Sequence, residues 1–457
     1  MKIAVRQGEI CLHVWANPFE MTDLKQIARQ IFHDTLAGVD IPRTFERKLT
    51  RQGSRLSIEG VTVDLAAFRS IRAVAMGKAS AAMARGLVER LAPDVPVEGV
   101  LAAPHDDLAD VAGFRAIGAG HPVPDEGSAA AARAVLDLLA TADAQTLVFF
   151  LLSGGASALV ELPLSPDITL RDLQELHRLL VNCGAPIDEM NAVRKHLSAV
   201  KGGRLAAAAP AAMKLSLGVT DVPPGRESAL ASGPTLPDPT TVADACRVIE
   251  RYGLLPRLPA AIRAKFERPG EIPETPKAGD PAFARAHFVM LLGMGDLFHH
   301  AHRAAEARDC VTVCDNTTDD WPIEKASGYL LEELARLRSA RPGRRVAVIA
   351  DGEVSSPVTG DGVGGRNSAF VLNCVEKIAG ENIAVLSAGT DGKDGSSPAA
   401  GAVADGRTLG RARAAGLSAP EYFRRCDSYN FFRPLGDSIE TGPTHNNLRD
   451  LRILLAE

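Results

Sequence analysis

The sequence predicts an α/β protein of two α/β domains: a larger one built on a doubly wound, mostly parallel sheet, and a smaller second one, with a cleft between them. Two observations carry this. Short β-branched or apolar runs ("IRAVAM", "TLVFFLL", "KLSLGV") alternate with longer helical patterns, the signature of strands covered by helices on both faces. A proline- and charge-rich stretch at residues 253–286 then interrupts the alternation, which resumes beyond it. With 457 residues, 46% of them hydrophobic, the chain is long enough for two separate cores.

The first 21 residues lack the apolar centre of a signal peptide and read as a flexible extension. A helix, "TDLKQIARQIFHDTL", follows with Thr22 as its expected N-cap. The larger domain is expected over residues 22–283 and the smaller over 284–457, where "HFVMLL" (287–292), "RVAVIA" (345–350) and "NIAVLSA" (382–388) read as its strands. The formal net charge of -5 and the absence of like-charge blocks exclude a nucleic-acid surface and leave small molecules as the expected partners. Seven scattered cysteines without C-x-x-C suggest neither disulfides nor zinc, and a reducing cytoplasm fits. The longest compact apolar run has six residues, too few to cross a bilayer.

In open α/β sheets ligands bind beyond the carboxyl ends of the strands, so the turns there are the candidate sites of chemistry. Lys78 follows "IRAVAM" at the start of a helix, where a cation opposes the helix dipole unless an anion compensates; the alternative is a lysine in water. Ser153, Gly154, Gly155 and Ser157, after "TLVFFLL", suit an anion-binding nest or a tight packing turn. In "MNAVRKHLSAVKGGRLA", Asn191, Lys195 and Ser198 share a helix face and Lys201 follows, either as phosphate donors or as a solvated basic face. Asp221, just past "KLSLGV", suits a magnesium ligand, a base or a turn cap. Asp391 and Asp394 lie on a glycine-rich loop after a strand and are candidate magnesium contacts.

"GDGVGGRNSAF" (360–370) contains G-x-G-x-x-G, but ten residues separate it from the preceding strand, the wrong spacing for a dinucleotide-binding turn. It reads instead as a flexible loop presenting Arg366 and Asn367 at a helix start, with the arginine fork suited to a phosphoryl group.

Together, "GHPVPDEGS", "SGGASALVELP", "NAVRKHLSAVKGGRLA", "TDVPPGRESALASGPTLPDPTT", "GRNSAF", "SAGTDGKDG" and "DSYNFFRPLGDSIETGPTHNNLRDLRILL" resemble the glycerate kinase type II family, whose carboxyl-terminal part is the MOFRL domain. The resemblance runs from about residue 22 to the end. It implies a Rossmann-like first domain and ATP-dependent phosphorylation of D-glycerate, to 2-phosphoglycerate, with Mg2+. Lys78 and Arg366 carry over as catalytic residues, with Asp221 as a further catalytic or metal-holding carboxylate and Asp391 as a second metal ligand. Ser153, Gly154, Gly155, Ser157, Lys195 and Lys201 are expected around the nucleotide phosphates, Asn367 and Asp351 at the substrate. A homodimer is compatible. Thr220, Lys393 and His445 to Asn447 depart from the family pattern, and Lys393 adds charge near the expected cleft. Two other functions fit parts of the pattern: an NAD(P)H-dependent hydroxypyruvate reductase, which the misplaced glycines disfavour, and a non-catalytic sugar-acid binding protein.

Overall fold

The computed structural model describes residues 23–457 except 221, 223, 224, 445 and 447. The expected extension, Thr22 and Asp221 therefore lie outside the described residues, as do His445 and Asn447. The first helix is Leu24–Gly38, with the Asp23 carboxylate accepting from Gln26 N at 3.1 Å as its cap. Among the described residues no helix is long and apolar enough to cross a membrane.

A small antiparallel sheet, β1 (Thr50–Gln52), β2 (Arg55–Ile58) and β3 (Val61–Asp64), precedes the first large sheet. That sheet contains β4 (Ser70–Met76), β5 (Val97–Pro104), β6 (Phe114–Ala119), β7 (Thr146–Ser153), β8 (Met213–Val219) and β9 (Ala286–Leu292), in the order β6-β5-β4-β7-β8-β9 and all parallel. β7 is buried along its whole length, which is why its sequence is an unbroken apolar run rather than an alternation. The order reverses between β4 and β7, so the crevice at their carboxyl ends is the expected ligand position of a doubly wound sheet.

The second large sheet contains β10 (Val311–Cys314), β11 (Val346–Asp351), β12 (Ile383–Gly389), β13 (Gly401–Asp405), β14 (Ser438–Ile439) and β15 (Asp450–Ala456), in the order β10-β11-β15-β12-β13-β14. Only β10 and β11 run parallel; the fully buried terminal strand β15 is inserted antiparallel between β11 and β12.

The expected division at residue 284 does not match these sheets. β9 pairs with β8 and belongs to the first sheet, while helix Leu24–Gly38 packs on β12, β13 and β15 of the second and against helix Met294–Glu306. Nor are the cores separate: one apolar cluster joins Leu151 and Leu217 of the first sheet to Ile349, Leu386 and Ile453 of the second. A shared dry core resists hinge motion between the lobes. The stretch 253–286 is likewise not a simple exposed connection, because Leu254, Leu258, Ile262, Phe266 and Ile272 are buried in a helical cluster with Leu173, Leu176 and Val193.

Candidate active site

At the crevice, the turns after β4 and β7 interlock. Lys78 N donates to Gly154 O at 2.9 Å, and Ala79 N donates to Ser153 Oγ at 3.1 Å. Gly77 has φ +123°, and a Cβ there would lie 2.1 Å from Ser153 Oγ, so only glycine allows the approach. Gly155 is left-handed (φ +85°); a Cβ on it would meet the His121 ring at 3.0 Å and Lys78 Cγ at 3.4 Å. The Lys78 stem therefore passes over Gly155 beside His121. Partial burial, and then the Lys78 charge, lower the His121 pKa and favour the neutral imidazole. Among the described residues Lys78 makes no ion pair.

Of the other first-lobe donors expected around phosphates, Lys195, Lys201 and Ser157 are already engaged. Lys195 Nζ bonds Asp238 Oδ1 at 3.1 Å, with side chains 5% and 0% exposed. Lys201 is fully buried, pairs with Glu161 and donates to Ser157 O at 2.8 Å. Ser157 Oγ shares a hydrogen with Ser232 Oγ at 2.9 Å, and Ser232 Oγ donates to Asn191 Oδ1 at 3.2 Å. The expectation that Lys195 and Lys201 grip phosphate is corrected accordingly: an ammonium leaves water only with a partner, and both have found internal carboxylates.

In the second lobe, Arg366 opens helix Arg366–Cys374. Its Nε bonds Asp450 Oδ2 at 2.5 Å and its Nη1 bonds Glu353 Oε2 at 2.8 Å, so carboxylates hold both edges of the guanidinium. Burial alone would lower its pKa, but Asp450 and Glu353 raise it. The side chain remains 37% exposed. Asp394 accepts from Asn367 N and Ser368 N, each at 2.9 Å, and from Ser368 Oγ at 2.5 Å. It is the anionic cap of this helix, a use that competes with the metal role expected for it.

Asp391 is placed differently. Its Oδ1 accepts from Lys393 N at 3.0 Å, and among the described residues its other oxygen has no protein donor. Burial raises its pKa; the Lys393 amide, Lys78 and Arg366 pull it down, and Asp450 pushes it up. The cations of the two lobes thus act on one carboxylate. No group of three metal-ligating side chains occurs among the described residues. One available carboxylate still fits Mg2+, which commonly takes one or two from protein and completes its shell with phosphates and water.

The glycines of "GDGVGGRNSAF" have a packing role. A Cβ on Gly360 would lie 2.3 Å from Arg425 O, on Gly362 2.4 Å from Asp427 Cβ, and on Gly365 2.2 Å from Asp394 Oδ1. The loop forms one wall of a cavity of about 910 Å³, lined in part by Val354, Pro357, Arg366, Asn367, Lys393 and Phe423. Asn367 reaches this cavity and accepts from Ser387 Oγ at 2.6 Å. Asp351 does not: it is 0% exposed, lies outside the lining, and among the described residues neither carboxylate oxygen has a hydrogen-bond partner. Burial pushes its pKa up to about 6. Its expected contact with substrate is corrected on that ground.

His121, Glu353 and Asp450 were not anticipated at the site. His121 lies in a quoted motif, "GHPVPDEGS", and a ring three residues before a second proline and near an acidic cap could have drawn notice. Glu353 and Asp450 carry no local signal, because their partner Arg366 is distant in sequence from Asp450.

Comparison with known proteins agrees with this architecture. Residues 27–267 match the model of a domain of unknown function, DUF4147, and residues 346–450 match that of the MOFRL family. The D-glycerate 2-kinase of Thermotoga maritima is 32% identical over 95% of this chain and 99% of its own, and the glycerate 2-kinase of Pyrococcus horikoshii 31% over 95% and 97%. A protein of Agrobacterium vitis that carries a provisional hydroxypyruvate reductase name is 34% identical over 93% of this chain and 96% of its own. The crystal structure of a glycerate kinase from Thermotoga maritima superposes with a TM-score of 0.83 at 31% identity, covering 95% of this chain and 99% of that one. With full-length relatives above 30% identity and both family models matched in order, the chain belongs to the DUF4147–MOFRL family of glycerate kinase homologues.

Proposed function

We propose that the protein is a glycerate kinase that transfers the γ-phosphoryl group of ATP to D-glycerate and yields 2-phosphoglycerate. The observation that carries the reading is the meeting of Arg366, Asn367 and Asp391 at one cavity, near enough to Lys78 of the other lobe for its charge to act on the same carboxylate. A phosphoryl group in flight and a carboxylate substrate both need positive charge held in place, and phosphoryl transfer asks little else of a protein beyond alignment.

Lys78 makes no ion pair among the described residues and offers its full charge to an anion. Arg366 is oriented by Asp450 and Glu353, so its exposed edge is fixed before substrate arrives. Asn367, at the cavity wall, supports the substrate. Asp391 would hold Mg2+, which supplies charge neutralisation on the phosphates. Asp221, by its sequence position just after β8, takes the hydroxyl proton as the glycerate oxygen bonds to phosphorus and the bridging oxygen leaves with ADP. The tight packing of Gly360, Gly362 and Gly365 against protein disfavours a dinucleotide at that loop, and with it the reductase reading.

The test uses purified protein with D-glycerate and Mg-ATP. ADP release is expected, and the phosphorylated product should be consumed directly by enolase, which accepts 2-phosphoglycerate and not the 3-isomer. NADH oxidation with hydroxypyruvate in place of ADP release would overturn the proposal, and so would binding of D-glycerate without turnover.

A further inference from the structure

We infer that the nucleotide sits in the second lobe, in the cavity walled by residues 354–359, 393–396 and 423–428, with Lys393 as a contact for its polyphosphate. The inference rests on the kinase reading and specifies where the larger of its two substrates binds.

Size is the first argument. A cavity of about 910 Å³ lies at the upper end of small-ligand sites and far exceeds the needs of a three-carbon acid, whereas a nucleoside triphosphate suits it. Among the described residues of the first-lobe crevice, Lys195, Lys201 and Ser157 are spent on internal partners and His121 crowds the Lys78 stem, which leaves Lys78 and the short Ser153–Gly155 turn for an anion. That crevice suits the small substrate.

Charge is the second. Arg366 lines the cavity, but two carboxylates more than offset it. Lys393 lines the same cavity, is exposed, and makes no ion pair among the described residues. Arg424 also lines the cavity, exposed and without an ion pair among the described residues, so these two are the cations there with charge to spare for phosphates.

The third argument is the apolar rim. Val358 is 84% exposed at the lip, with Pro357, Ile323 and Phe423 around the same space, an arrangement suited to the faces of a purine. Arg366 and Asp391 border this cavity as well, so a nucleotide lying in it can direct its phosphates to the carboxylate that both lobes address.

Cys426 lines the cavity, whereas Cys183, Cys246 and Cys314 do not. Alkylation of each thiol by iodoacetamide, followed by mass spectrometry, should therefore show Cys426 protected by Mg2+ with the non-hydrolysable analogue AMP-PNP and unprotected by D-glycerate, with the other three as controls. By calorimetry, Lys393→Met should weaken AMP-PNP binding about fivefold, the loss of one solvent-screened charge contact. Val358→Asp should weaken it in the same direction, with the melting temperature of both variants unchanged. AMP-PNP binding that leaves Cys426 labelling and both variants' affinities unaltered would overturn this location while the kinase reading stands. A wild-type protein that neither binds AMP-PNP nor releases ADP would overturn both.

Discussion

Lys201→Met separates a structural lysine from a phosphate-binding one. Lys201 and Glu161 are each 1% exposed, and Glu161 also accepts from Ser198 Oγ at 2.6 Å and Leu162 N at 3.1 Å. Removing the ammonium strands a carboxylate that stays buried, a change that typically costs 3–5 kcal/mol. Arg194, whose charge also acts on Glu161, and the two remaining donors place the expected loss at about the lower limit, ~3 kcal/mol. For 457 residues unfolding together that is a fall in melting temperature of roughly 3 °C. Glu161→Gln in the Lys201→Met background removes the stranded charge and should recover most of the loss; Glu161→Gln alone strands the buried ammonium at a similar cost, so the coupling in the double-mutant cycle should exceed either single loss. Thermal melts of the four proteins without ligand measure this directly. If Lys201→Met melts within about 1 °C of wild type while nucleotide affinity collapses, the buried-pair argument is wrong and Lys201 is a ligand after all.

Gly365→Ala tests the glycine loop. The backbone there is extended (φ -155°), so alanine brings no torsional strain, only a Cβ 2.2 Å from Asp394 Oδ1. Displacing that cap should cost about 1–3 kcal/mol with or without ligand, and a wild-type melt would return the glycines to a ligand role. Asp351→Asn should stabilise. With its pKa raised from 3.8 to about 6, Asp351 binds its proton more tightly folded than unfolded; its contribution is full at low pH and lost as pH rises through about 4 to 6. At pH 7 the amide should therefore gain on the order of 2 kcal/mol and flatten that part of the stability profile; chemical denaturation across pH that shows no gain refutes the stranded ionised carboxylate. Lys78→Ala should lower kcat about a hundredfold or more with an unchanged melting temperature, and wild-type turnover would remove Lys78 from the chemistry.

What the sequence disclosed was local. "TLVFFLL" announced a strand buried on both faces because burial writes itself into composition, and Lys78 stood out because a strand end and a helix start bracket it. Pairing partners are not written that way. β9 has the same apolar pattern whichever sheet receives it, and β15 entered the middle of the second sheet although it is last in the chain. Lys195 and Lys201 read as solvated or phosphate-facing because their carboxylates, Asp238 and Glu161, lie 43 and 40 residues away. Asp351 alternates like its neighbours in β11, and nothing local says that its side chain is sealed in.

The glycine loop shows the same limit from the other side. A glycine reports that something approaches the backbone closely, but a pyrophosphate and a carbonyl such as Arg425 O leave the same mark in the sequence. Local placement and family resemblance could bring Lys78 and Arg366 to one site, yet neither revealed that Arg366 arrives between two carboxylates. That neutralisation changes the division of labour. An arginine already offset by Asp450 and Glu353 orients more than it attracts, so the charge that draws in two anionic substrates has to come from Lys78, from Lys393 and Arg424 at the cavity, and from the metal that Asp391 can hold.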